Sequence, residues 1–417
     1  MLLQFKFANY RSFADETVFD MTATPIREHK NSLIERNGVQ VLPVAAIYGA
    51  NASGKSSFIM ALGTMCSIVA GILSRDLAEQ HVRLKNHLNT FIFEPKYADK
   101  PTEYEVCFAI KNYEYRYGFE HTGEKIICEY LYRKKFTKNK AVEKIIFERS
   151  GGNVASSADA KLKKEIDYCA SMLVDKSLLL TDLGRRAKED EFREIFMWFE
   201  NIASVHELRM AAENISEELL EDLNGHLFSN DNPHNIEVRD SISKLICEID
   251  EGIVSVKPVK KANDKGYSLI SERKYNGKII DVPFLIESDG TKRTLMLSYF
   301  IFTALKLGFC CLVDELDLKL HPLLLRKIVH MFKNKDINKH EAQLIFSAHN
   351  IINLDSSDLR RDEVWFVEKQ QHKSTIFSLY DFEDEGGGDI RSDLDYGKHY
   401  LLGRFGAIPF QDKGGVK

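Results

Sequence analysis

The sequence has few features of a disulfide-stabilised or zinc-binding protein. Its seven cysteines are scattered along 417 residues, and none forms a C-x-x-C pair with the spacing of a metal site. Cys310 and Cys311 lie within an apolar run, where cysteine usually serves as a small buried hydrophobe. Paired histidines with the spacing of a zinc hydrolase are also absent. This cysteine usage favours a reducing compartment, so we expect a cytoplasmic protein.

Long uninterrupted apolar runs are lacking as well. The N-terminal residues MLLQFKFANYRSF do not combine a basic segment with a long apolar stretch, so we expect no secretion signal. The most apolar region, Leu295–Val313, contains Lys306 and Gly308 and leads directly into two acidic residues. We interpret it as a buried helix followed by a buried strand, and we expect no membrane segment.

The chain also lacks a strong excess of charge of one sign. Its 57 Lys and Arg residues against 62 Asp and Glu residues give a net charge of −5, which excludes a phosphate-binding footprint over the whole surface. One local basic cluster lies at a predicted hairpin tip and comprises Arg133, Lys134, Lys135, Lys138 and Lys140. This cluster could contact nucleic acid, although solvated hairpins are often basic, and nothing else indicates such a partner.

What the sequence does have is an alternation of apolar segments typical of an α/β protein, with no internal repeat of fixed period. Strands are predicted at Leu2–Phe7, Thr17–Met21 and Val41–Tyr48, and a buried helix is predicted at Lys55–Leu73. An antiparallel meander is predicted from the alternating segments Glu103–Ile110, Tyr113–Glu120 and Ile126–Phe136.

The middle of the chain changes character. The Gly/Ser-rich stretch 150–160 marks a boundary, and 161–249 is mostly helical in pattern. Helix and strand alternate again from Gly290 onwards. The sequence therefore predicts three parts: 1–150 with the first portion of a nucleotide-binding head, 151–280 as a mainly helical insertion, and 281–417 with the rest of the head.

A phosphate-binding motif follows the predicted strand at 41–48. Residues 49–56 read GANASGKS, an intact G-x-x-x-x-G-K-S, and a helix is predicted directly after it. Glycine at both ends allows the loop to wrap its backbone N–H groups around a phosphate, and the helix directs its positive dipole end toward the same group. The predicted nucleotide-binding residues are Gly49, Ala50, Asn51, Ala52, Ser53, Gly54, Lys55, Ser56 and Ser57. In this motif Lys55 reaches the β- and γ-phosphates, and the Ser56 hydroxyl binds Mg²⁺.

An acidic pair ends the apolar segment 309–313. A buried strand would deliver Asp314 and Glu315 to the carboxyl edge of the sheet, beside the phosphate loop. Asp314 is the predicted second protein ligand of Mg²⁺, and Glu315 is predicted to polarise the water that attacks the γ-phosphate. The alternative is a strand end with solvated acids. Because Asp314 lies far from Lys55 in the sequence, a large module must be inserted within the nucleotide-binding fold.

These motifs together resemble those of the ABC/SMC/RecF-like ATPases, and in particular the OLD-like AAA ATP-binding proteins of bacterial phage-defence and abortive-infection systems. Phe5 to Phe13 is similar to the N-F-[KR]-S-F opening of SMC and RecF heads, and the likeness implies that Arg11 lies near the phosphates. His349, after the apolar strand 343–346, occupies the place of the switch histidine that contacts the γ-phosphate in ABC-type ATPases. A lone histidine at a strand end is otherwise an ordinary polar terminus.

Three further segments support the resemblance. Ser288 and Gly290, before a long helix, resemble a degenerate ABC signature that binds the γ-phosphate held by the opposite subunit, although such a turn is also an ordinary helix cap. Asp317 resembles the D-loop aspartate of a dimer interface. Residues 400–409, YLLGRFGAIP, resemble a C-terminal G-R-[YF]-G-A-x-P stretch of AbiL-type and PARIS-type defence ATPases. The usual leucine-serine-glycine-glycine signature is absent, Ala52 replaces a common glycine, and no Q-loop can be assigned.

The resemblance implies an ABC/SMC-like P-loop NTPase head of the α/β class, with an antiparallel β-meander and a helical insertion. It further implies an ATP hydrolase that uses ATP and Mg²⁺ as a homodimer or larger homo-oligomer. Because no nuclease centre is recognisable, and Asp393 and Asp395 lie in a polar segment, we expect a separate effector such as a TOPRIM-type or RloB-like nuclease. Two alternatives stay open: a RecF-like DNA-repair ATPase, and an ATP-gated scaffold that does not hydrolyse ATP.

Overall fold

A computed structural model describes residues 1–71, 90–212, 233–260, 267–318, 320–382 and 394–408. The strands in these ranges are β1 (Leu2–Ala8), β2 (Thr17–Asp20), β3 (Ile34–Arg36), β4 (Val39–Val41), β5 (Val44–Tyr48), β6 (Thr102–Ile110), β7 (Tyr113–Thr122), β8 (Lys125–Lys135), β9 (Lys144–Ser150), β10 (Asn153–Ala155), β11 (Ile253–Lys260), β12 (Tyr267–Tyr275), β13 (Lys278–Pro283), β14 (Cys310–Val313), β15 (Gln343–Ser347), β16 (Val364–Gln370) and β17 (Lys373–Ser378). The helices are α1 (Lys55–Ala70), α2 (Pro95–Ala98), α3 (Ala160–Ala170), α4 (Leu179–Arg186), α5 (Asp190–Ala212), α6 (Pro233–Ile249), α7 (Asp289–Leu307), α8 (Pro322–Lys333) and α9 (Tyr396–Leu401).

A sheet built from both ends of the chain positions the candidate site. Its described strands follow the order β14-β15-β5-β16-β17, parallel except for the antiparallel edge strand β17. Strands β5, β14 and β15 are buried along their whole length, as their apolar sequences predict for parallel strands covered on both faces. Ala45 and Ile47 face a core that includes α1 and α5, whereas Val44, Ala46 and Tyr48 face a core that includes α7 and α8.

An antiparallel sheet covers α1 from the other side. Its described strands follow the order β10-β9-β8-β7-β6-β1-β2, which contains the predicted meander and the first two predicted strands, paired antiparallel. The inner face is aromatic: Phe5 packs edge-on against Phe58 of α1 with 6.4 Å between ring centroids, and Phe108 stacks on Trp198 of α5 at 4.3 Å. The predicted class, an α/β head with an antiparallel meander and a helical insertion, is confirmed.

Two predicted elements differ in extent. The strand expected at 41–48 is split into β4 and β5, because Pro43 cannot donate a backbone hydrogen bond and the chain turns there. Helix α1 ends at Ala70, since Gly71 adopts a left-handed conformation (φ 68°) and its N–H caps the carbonyls of Ile68 and Ser67. Residues 72 and 73, which the prediction included in this helix, lie outside the described residues.

Several strands were not predicted, among them β3, β9, β10 and β13. Strand β13 pairs antiparallel with β12, and the turn between them consists of Asn276 and Gly277, both at positive φ. An Asn-Gly turn is a strong hairpin signal, yet the strand after it is largely exposed and its consecutive residues Ile279 and Ile280 break the alternation. Within the stretch 161–249, which was predicted to be mostly helical, residues 213–232 lie outside the described residues.

A buried ion pair joins the meander to the helices that follow it. Glu129 of β8 is fully buried and accepts hydrogen bonds from the backbone N–H groups of Leu179 (2.7 Å) and Leu180 (2.9 Å) at the start of α4. Arg149 of β9 lies 3.5 Å from the same carboxylate and donates to the Ser177 carbonyl oxygen at 2.6 Å. These contacts cross the predicted boundary at 150, and the limits of the three predicted parts stay a prediction.

The described helices include none that is long and apolar enough to cross a lipid bilayer. All seven cysteines lie in the described residues, and each is a free thiol.

The substitution Glu129→Gln tests the buried pair. It keeps the shape of the side chain but removes the charge, leaving Arg149, whose side chain is 1% exposed, without its counter-charge. We expect the free energy of unfolding to fall by about 3 kcal/mol, measured by urea denaturation. The matched change Glu148→Gln, on the exposed face of β9, should alter it by less than about 0.5 kcal/mol. Equal effects of the two substitutions would contradict a stabilising role for the pair.

Candidate functional site

The phosphate-binding loop leaves the carboxyl end of β5 and leads into α1. Gly49 has φ 151°, and a Cβ atom there would lie 2.3 Å from the carbonyl oxygen of Val367 on β16. Gly54 has φ 119°, and its Cβ would lie 2.5 Å from the Ser374 hydroxyl. The Ser374 hydroxyl in turn donates to the carbonyl oxygen of Ser53 at 2.5 Å. Both glycines of the motif are therefore required by close packing as well as by backbone conformation.

The side chain of Lys55 folds back onto the first residues of the phosphate loop. Its ammonium group donates to the carbonyl oxygens of Gly49 (2.8 Å) and Ala50 (2.9 Å), and the residue is 5% exposed. Burial lowers the pKa of Lys55 to about 8, although the nearby carboxylates of Asp314, Glu315 and Asp317 act in the opposite direction. Lys55 therefore loses its proton at a lower pH than an exposed lysine does.

The acidic pair lies directly after β14, next to β15 in the sheet. Asp314 is 7% exposed, and its Oδ1 accepts a hydrogen bond of 2.5 Å from the hydroxyl of Ser347 at the end of β15. The same hydroxyl oxygen accepts from the backbone N–H of Glu315 at 2.7 Å. Glu315 has φ 52°, which is uncommon for a residue with a side chain. Ser347 therefore fixes both the aspartate rotamer and the turn that presents the glutamate.

Asp317 and His349 connect the two loops that follow these strands. One carboxylate oxygen of Asp317 accepts from the backbone N–H groups of His349 (2.8 Å) and Asn350 (2.6 Å). The His349 Nε2 atom lies 3.8 Å from a carboxylate oxygen of Glu315, and both side chains are about two-fifths exposed, at 39% and 41%. Asp317 thus holds the histidine-bearing loop close to the glutamate.

One cleft of about 710 Å³ contains most of the predicted residues. Its lining consists of Asn51, Ala52, Ser53, Gly54, Lys55, Ser56, Ser57, Glu315, Asp317, Leu318, His349 and Lys369. The phosphate loop and the acidic turn, far apart in the sequence, face the same space. Gly49, Ala50 and Asp314 are not part of this lining: Gly49 and Ala50 support Lys55 with their carbonyl groups, and Asp314 is held beside the acidic turn by Ser347.

Three predicted residues lie elsewhere. Arg11 does not line the cleft as the family likeness implied, because its guanidinium extends along α1 to the sulfur of Met60, 3.1 Å away. Ser288 is the N-cap of α7 and accepts from the N–H of Thr291 at 3.1 Å, and Gly290 lies in the first turn of that helix. Neither Ser288 nor Gly290 lines the cleft of its own chain.

Several residues of the site carried no sequence signal of their own. Lys369, on the strand beside the loop, is exposed and lines the cleft, but in sequence it is one more charged residue at a strand end. Leu318 follows the acidic turn and is 44% exposed in the same cleft. Ser347 lies two residues before His349 and carries no signal apart from that proximity. These positions become recognisable only when the strands are aligned.

The residues present fit a phosphate group with a divalent cation. The Ser53 hydroxyl is buried in the loop and has no hydrogen-bond partner among the described residues. The start of α1 directs backbone N–H groups into the cleft, next to the Ser56 side chain. No group of three or more His, Cys, Asp or Glu residues in the described ranges could hold a metal ion by itself, so a cation here would need hydroxyl and phosphate oxygens in addition to carboxylates.

A family model described as "AAA domain, putative AbiEii toxin, Type IV TA system" matches residues 44–356. No curated protein matches the chain. Similar solved structures include an SMC head bound to the C-winged helix domain of ScpA, with a TM-score of 0.42 and 12% identity over 90% of this chain and 97% of that chain. The SMC head from Thermotoga maritima has a TM-score of 0.42 and 14% identity over 90% of this chain and 98% of that chain.

A third similar structure is an Smc head with an extended coiled coil, bound to the C-terminal domain of ScpA derived from Pyrococcus furiosus. It has a TM-score of 0.41 and 14% identity over 90% of this chain and 96% of that chain. At this level of identity, the likeness carries no information on ligands or partners. The family model confirms the predicted AAA-type relationship, whereas the SMC-like and ABC-like likeness and the narrower AbiL-type or PARIS-type assignment stay predictions.

The conformation of Ala52 gives a direct test of loop strain. This residue has φ 61°, which an L-residue adopts at a cost of about 1 kcal/mol and glycine adopts freely. We expect Ala52→Gly to leave the free energy of unfolding unchanged or to raise it by up to about 1 kcal/mol, measured by urea denaturation. Ala50→Gly, where φ is not positive, should instead lower it by about 0.5–1 kcal/mol. A larger loss at position 52 than at position 50 would contradict the strained conformation.

Proposed function

We propose that this chain, which belongs to the AAA-domain family described above, binds and hydrolyses ATP with Mg²⁺. The observation that supports this proposal is the shared cleft: Lys55 and Ser56 of the phosphate loop face Glu315 and His349 across one space of about 710 Å³. Phosphoryl transfer requires positioning and charge stabilisation more than covalent chemistry, and this cleft offers both.

We assign a proposed role to each residue. The loop N–H groups and Lys55 would hold the β- and γ-phosphates, and Ser56 and Asp314 would hold Mg²⁺, which would neutralise charge on the phosphates. Glu315 orients the attacking water from the exposed side of the cleft, and His349 beside it contacts the γ-phosphate. Lys369 adds a second positive charge to the cleft lining.

A second copy of the chain completes this proposed site. Ser288 and Gly290 lie at the start of α7 and do not line the cleft of their own chain. Their proposed contact with a γ-phosphate therefore requires another subunit, with ATP held between two heads in a homodimer or larger homo-oligomer. Asp317, whose carboxylate holds the His349 loop, is proposed to lie at that interface.

In the cell, the ATP-dependent assembly is proposed to act as a sensor or scaffold that controls a separate effector, a nuclease, in antiphage defence. The family description, which names a toxin of a toxin–antitoxin system, supports such a setting. A RecF-like role on DNA receives less support. The net charge is −5, and two residues of the basic cluster are paired: Arg133 with Glu191 at 2.6 Å and Lys134 with Glu114 at 2.8 Å.

Two substitutions separate binding from hydrolysis. Lys55→Ala removes the phosphate-binding ammonium, and we expect at least a tenfold loss of Mg·ATP affinity, measured by fluorescence titration with a labelled nucleotide. Glu315→Gln keeps the size of the side chain and should retain binding while phosphate release falls by about 10²-fold or more. Lys339→Ala, at an exposed position remote from the cleft, is the matched control.

Two further measurements discriminate between the defence ATPase, the non-hydrolysing scaffold and the RecF-like role. They are the survival of the host under phage challenge and the ATPase activity with and without DNA. Both substitutions should abolish protection if ATP turnover is required. Protection that survives Glu315→Gln would favour the non-hydrolysing scaffold, and ATPase activity stimulated by naked DNA would favour the RecF-like role. A wild-type protein that binds no ATP in the presence of Mg²⁺ would contradict the proposed function altogether.

The lowered pKa of Lys55 predicts a pH dependence. Burial brings this pKa to about 8, so the ammonium group loses its proton as the pH rises through that value. Since the phosphates favour the charged form, the Mg·ATP dissociation constant should rise between about pH 8 and 9.5, by at most about tenfold per pH unit. Lys55→Arg, whose guanidinium stays protonated, should show weaker binding but no such rise.

The ligand-free protein should respond in the opposite sense. In the unfolded chain, lysine keeps its proton to about pH 10.4, so the unfolded state binds more protons above pH 8 and the free energy of unfolding should increase with pH in that window. A dissociation constant that is flat to pH 9.5 in the wild type would contradict the lowered pKa.

A further inference from the structure

The C-terminal segment 394–408 contains the G-R-F-G-A motif, to which the proposed function gives no role. We call this segment the C-terminal brace. It is fastened to β16 by two aromatic residues: Tyr400 stacks on Phe366 with 5.3 Å between ring centroids, and Phe405 packs on the same ring at 5.6 Å. Phe405 is fully buried, and Tyr400 is 7% exposed. Phe366 lies beside Tyr48 in the sheet, immediately before the phosphate loop. The brace is therefore anchored where that loop begins.

The end of the brace contacts the loop backbone. The carbonyl oxygen of Ala407 accepts a hydrogen bond of 3.0 Å from the N–H of Ala50. It also accepts one of 3.0 Å from the hydroxyl of Tyr400. Ala407 has φ 55°, and Gly403 and Gly406 also have positive φ, at 74° and 67°. This tight turn directs the Ala407 carbonyl group toward the loop, and Tyr400 holds it there.

The start of the brace contacts the segment that follows His349. The N–H of Gly397 donates to the carbonyl oxygen of Leu354 at 3.0 Å, and a Cβ at Gly397 would lie 2.9 Å from the carbonyl oxygen of Ile351. Ile351 begins a short 3₁₀ turn whose cap is Asn350, with its side chain accepting from the N–H of Ile352 at 3.0 Å. The brace therefore spans from the phosphate loop to the loop that bears His349.

Two sets of contacts meet at the backbone of Gly49 and Ala50. Lys55 binds the carbonyl oxygens of Gly49 and Ala50, while Ala407 binds the N–H of Ala50 from the other side. A phosphate that attracts the Lys55 ammonium would draw it from these carbonyl groups. The hydrogen bond from Ala50 to Ala407 would stay, because it involves neither the lysine nor the cleft.

We propose that the C-terminal brace positions the phosphate loop and fixes it relative to the His349 loop, with Tyr400 and the Ala407 carbonyl group as positioning residues. The brace acts on the backbone whether or not nucleotide is present. Its consequence for affinity rests on the proposed function: a loop held in its binding conformation binds phosphate more tightly than one that must be ordered first. The C-terminal motif thereby acquires a physical role at the site.

Two tyrosines of α9 provide a matched pair of substitutions. Tyr400→Phe removes only the hydroxyl that binds the Ala407 carbonyl oxygen and keeps the ring on Phe366. Tyr396→Phe removes a hydroxyl of the same helix that is buried but has no hydrogen-bond partner among the described residues. Both variants keep the shape of the core, so both should fold. Any difference between them reports on the single hydrogen bond to Ala407.

The decisive measurement is amide hydrogen exchange of the full-length protein without nucleotide. In Tyr400→Phe we expect exchange of peptides covering residues 49–54 to accelerate about fivefold, the factor that corresponds to one lost hydrogen bond, with a smaller acceleration over 349–354. Tyr396→Phe should match the wild type. Ala407→Gly, which keeps the carbonyl group and the turn, should also match it, whereas Ala407→Pro cannot adopt φ 55° and should accelerate exchange further.

Affinity for Mg·ATP, measured on the same proteins, separates this proposal from the proposed function. A three- to tenfold weaker affinity in Tyr400→Phe alone, with the melting temperature close to that of Tyr396→Phe, would support the brace as a positioning element. Unchanged exchange at 49–54 in Tyr400→Phe, or equal acceleration in both tyrosine variants, would overturn it. If the wild type binds no ATP, the proposed function fails, and the exchange data still decide whether the brace holds the loop.

Discussion

The site depends on the parallel pairing of β5 with β15 and β16. Strand β5 comes from the first fifty residues, whereas its neighbours come from beyond residue 340. Strands β5 and β15 are buried along their whole length, and β16 is buried over its first four residues. Because parallel strands end at the same edge of a sheet, this pairing, together with the parallel pairing of β15 with β14, brings the phosphate loop and the acidic turn together. The register aligns Ser347 with Ile47, just before the loop, and Ser347 then fixes Asp314 and Glu315. A shift in this register would separate the two halves of the cleft.

The cleft combines a buried charged group with unfavourable backbone conformations. Lys55 is buried against its own loop, and three carboxylates nearby keep it charged despite the cost of desolvation. Ala52 and Glu315 both have positive φ, an unfavourable conformation that clusters at functional sites in proteins. Such strained conformations persist only where the contacts of the surrounding structure enforce them. An anionic ligand that attracts the Lys55 ammonium group and accepts hydrogen bonds from the loop N–H groups would offset part of this free-energy cost.

The surroundings of the loop come from widely separated parts of the chain. The β16–β17 hairpin contributes Val367 and Ser374, which make glycine necessary at both ends of the motif. The loop after β1 contributes Ser12, whose carbonyl oxygen accepts from the N–H of Ser374 at 2.7 Å. The antiparallel sheet is therefore coupled to the site through the same hairpin. Ala407 closes the arrangement from the C-terminal side. A displacement of the antiparallel sheet or of the C-terminal brace would therefore displace the phosphate loop through these backbone contacts.

Local sequence determined the chemistry of this protein, and tertiary structure decided its geometry. The motif at 49–56, the apolar strand before the acids and the histidine after the next strand were recognisable because dihedral demands, burial and charge act over a few neighbouring residues. The meander was predictable for the same reason, from its alternation of apolar and polar residues. The exposed strand β13 was missed because it does not alternate. The side chain of Arg11 lies outside the cleft lining, since a backbone position does not fix the direction of a long side chain. Ser347, Lys369 and Ala407 owe their roles to contacts between strands and loops that are distant in the chain. Such contacts depend on register and packing, which no short stretch of sequence encodes.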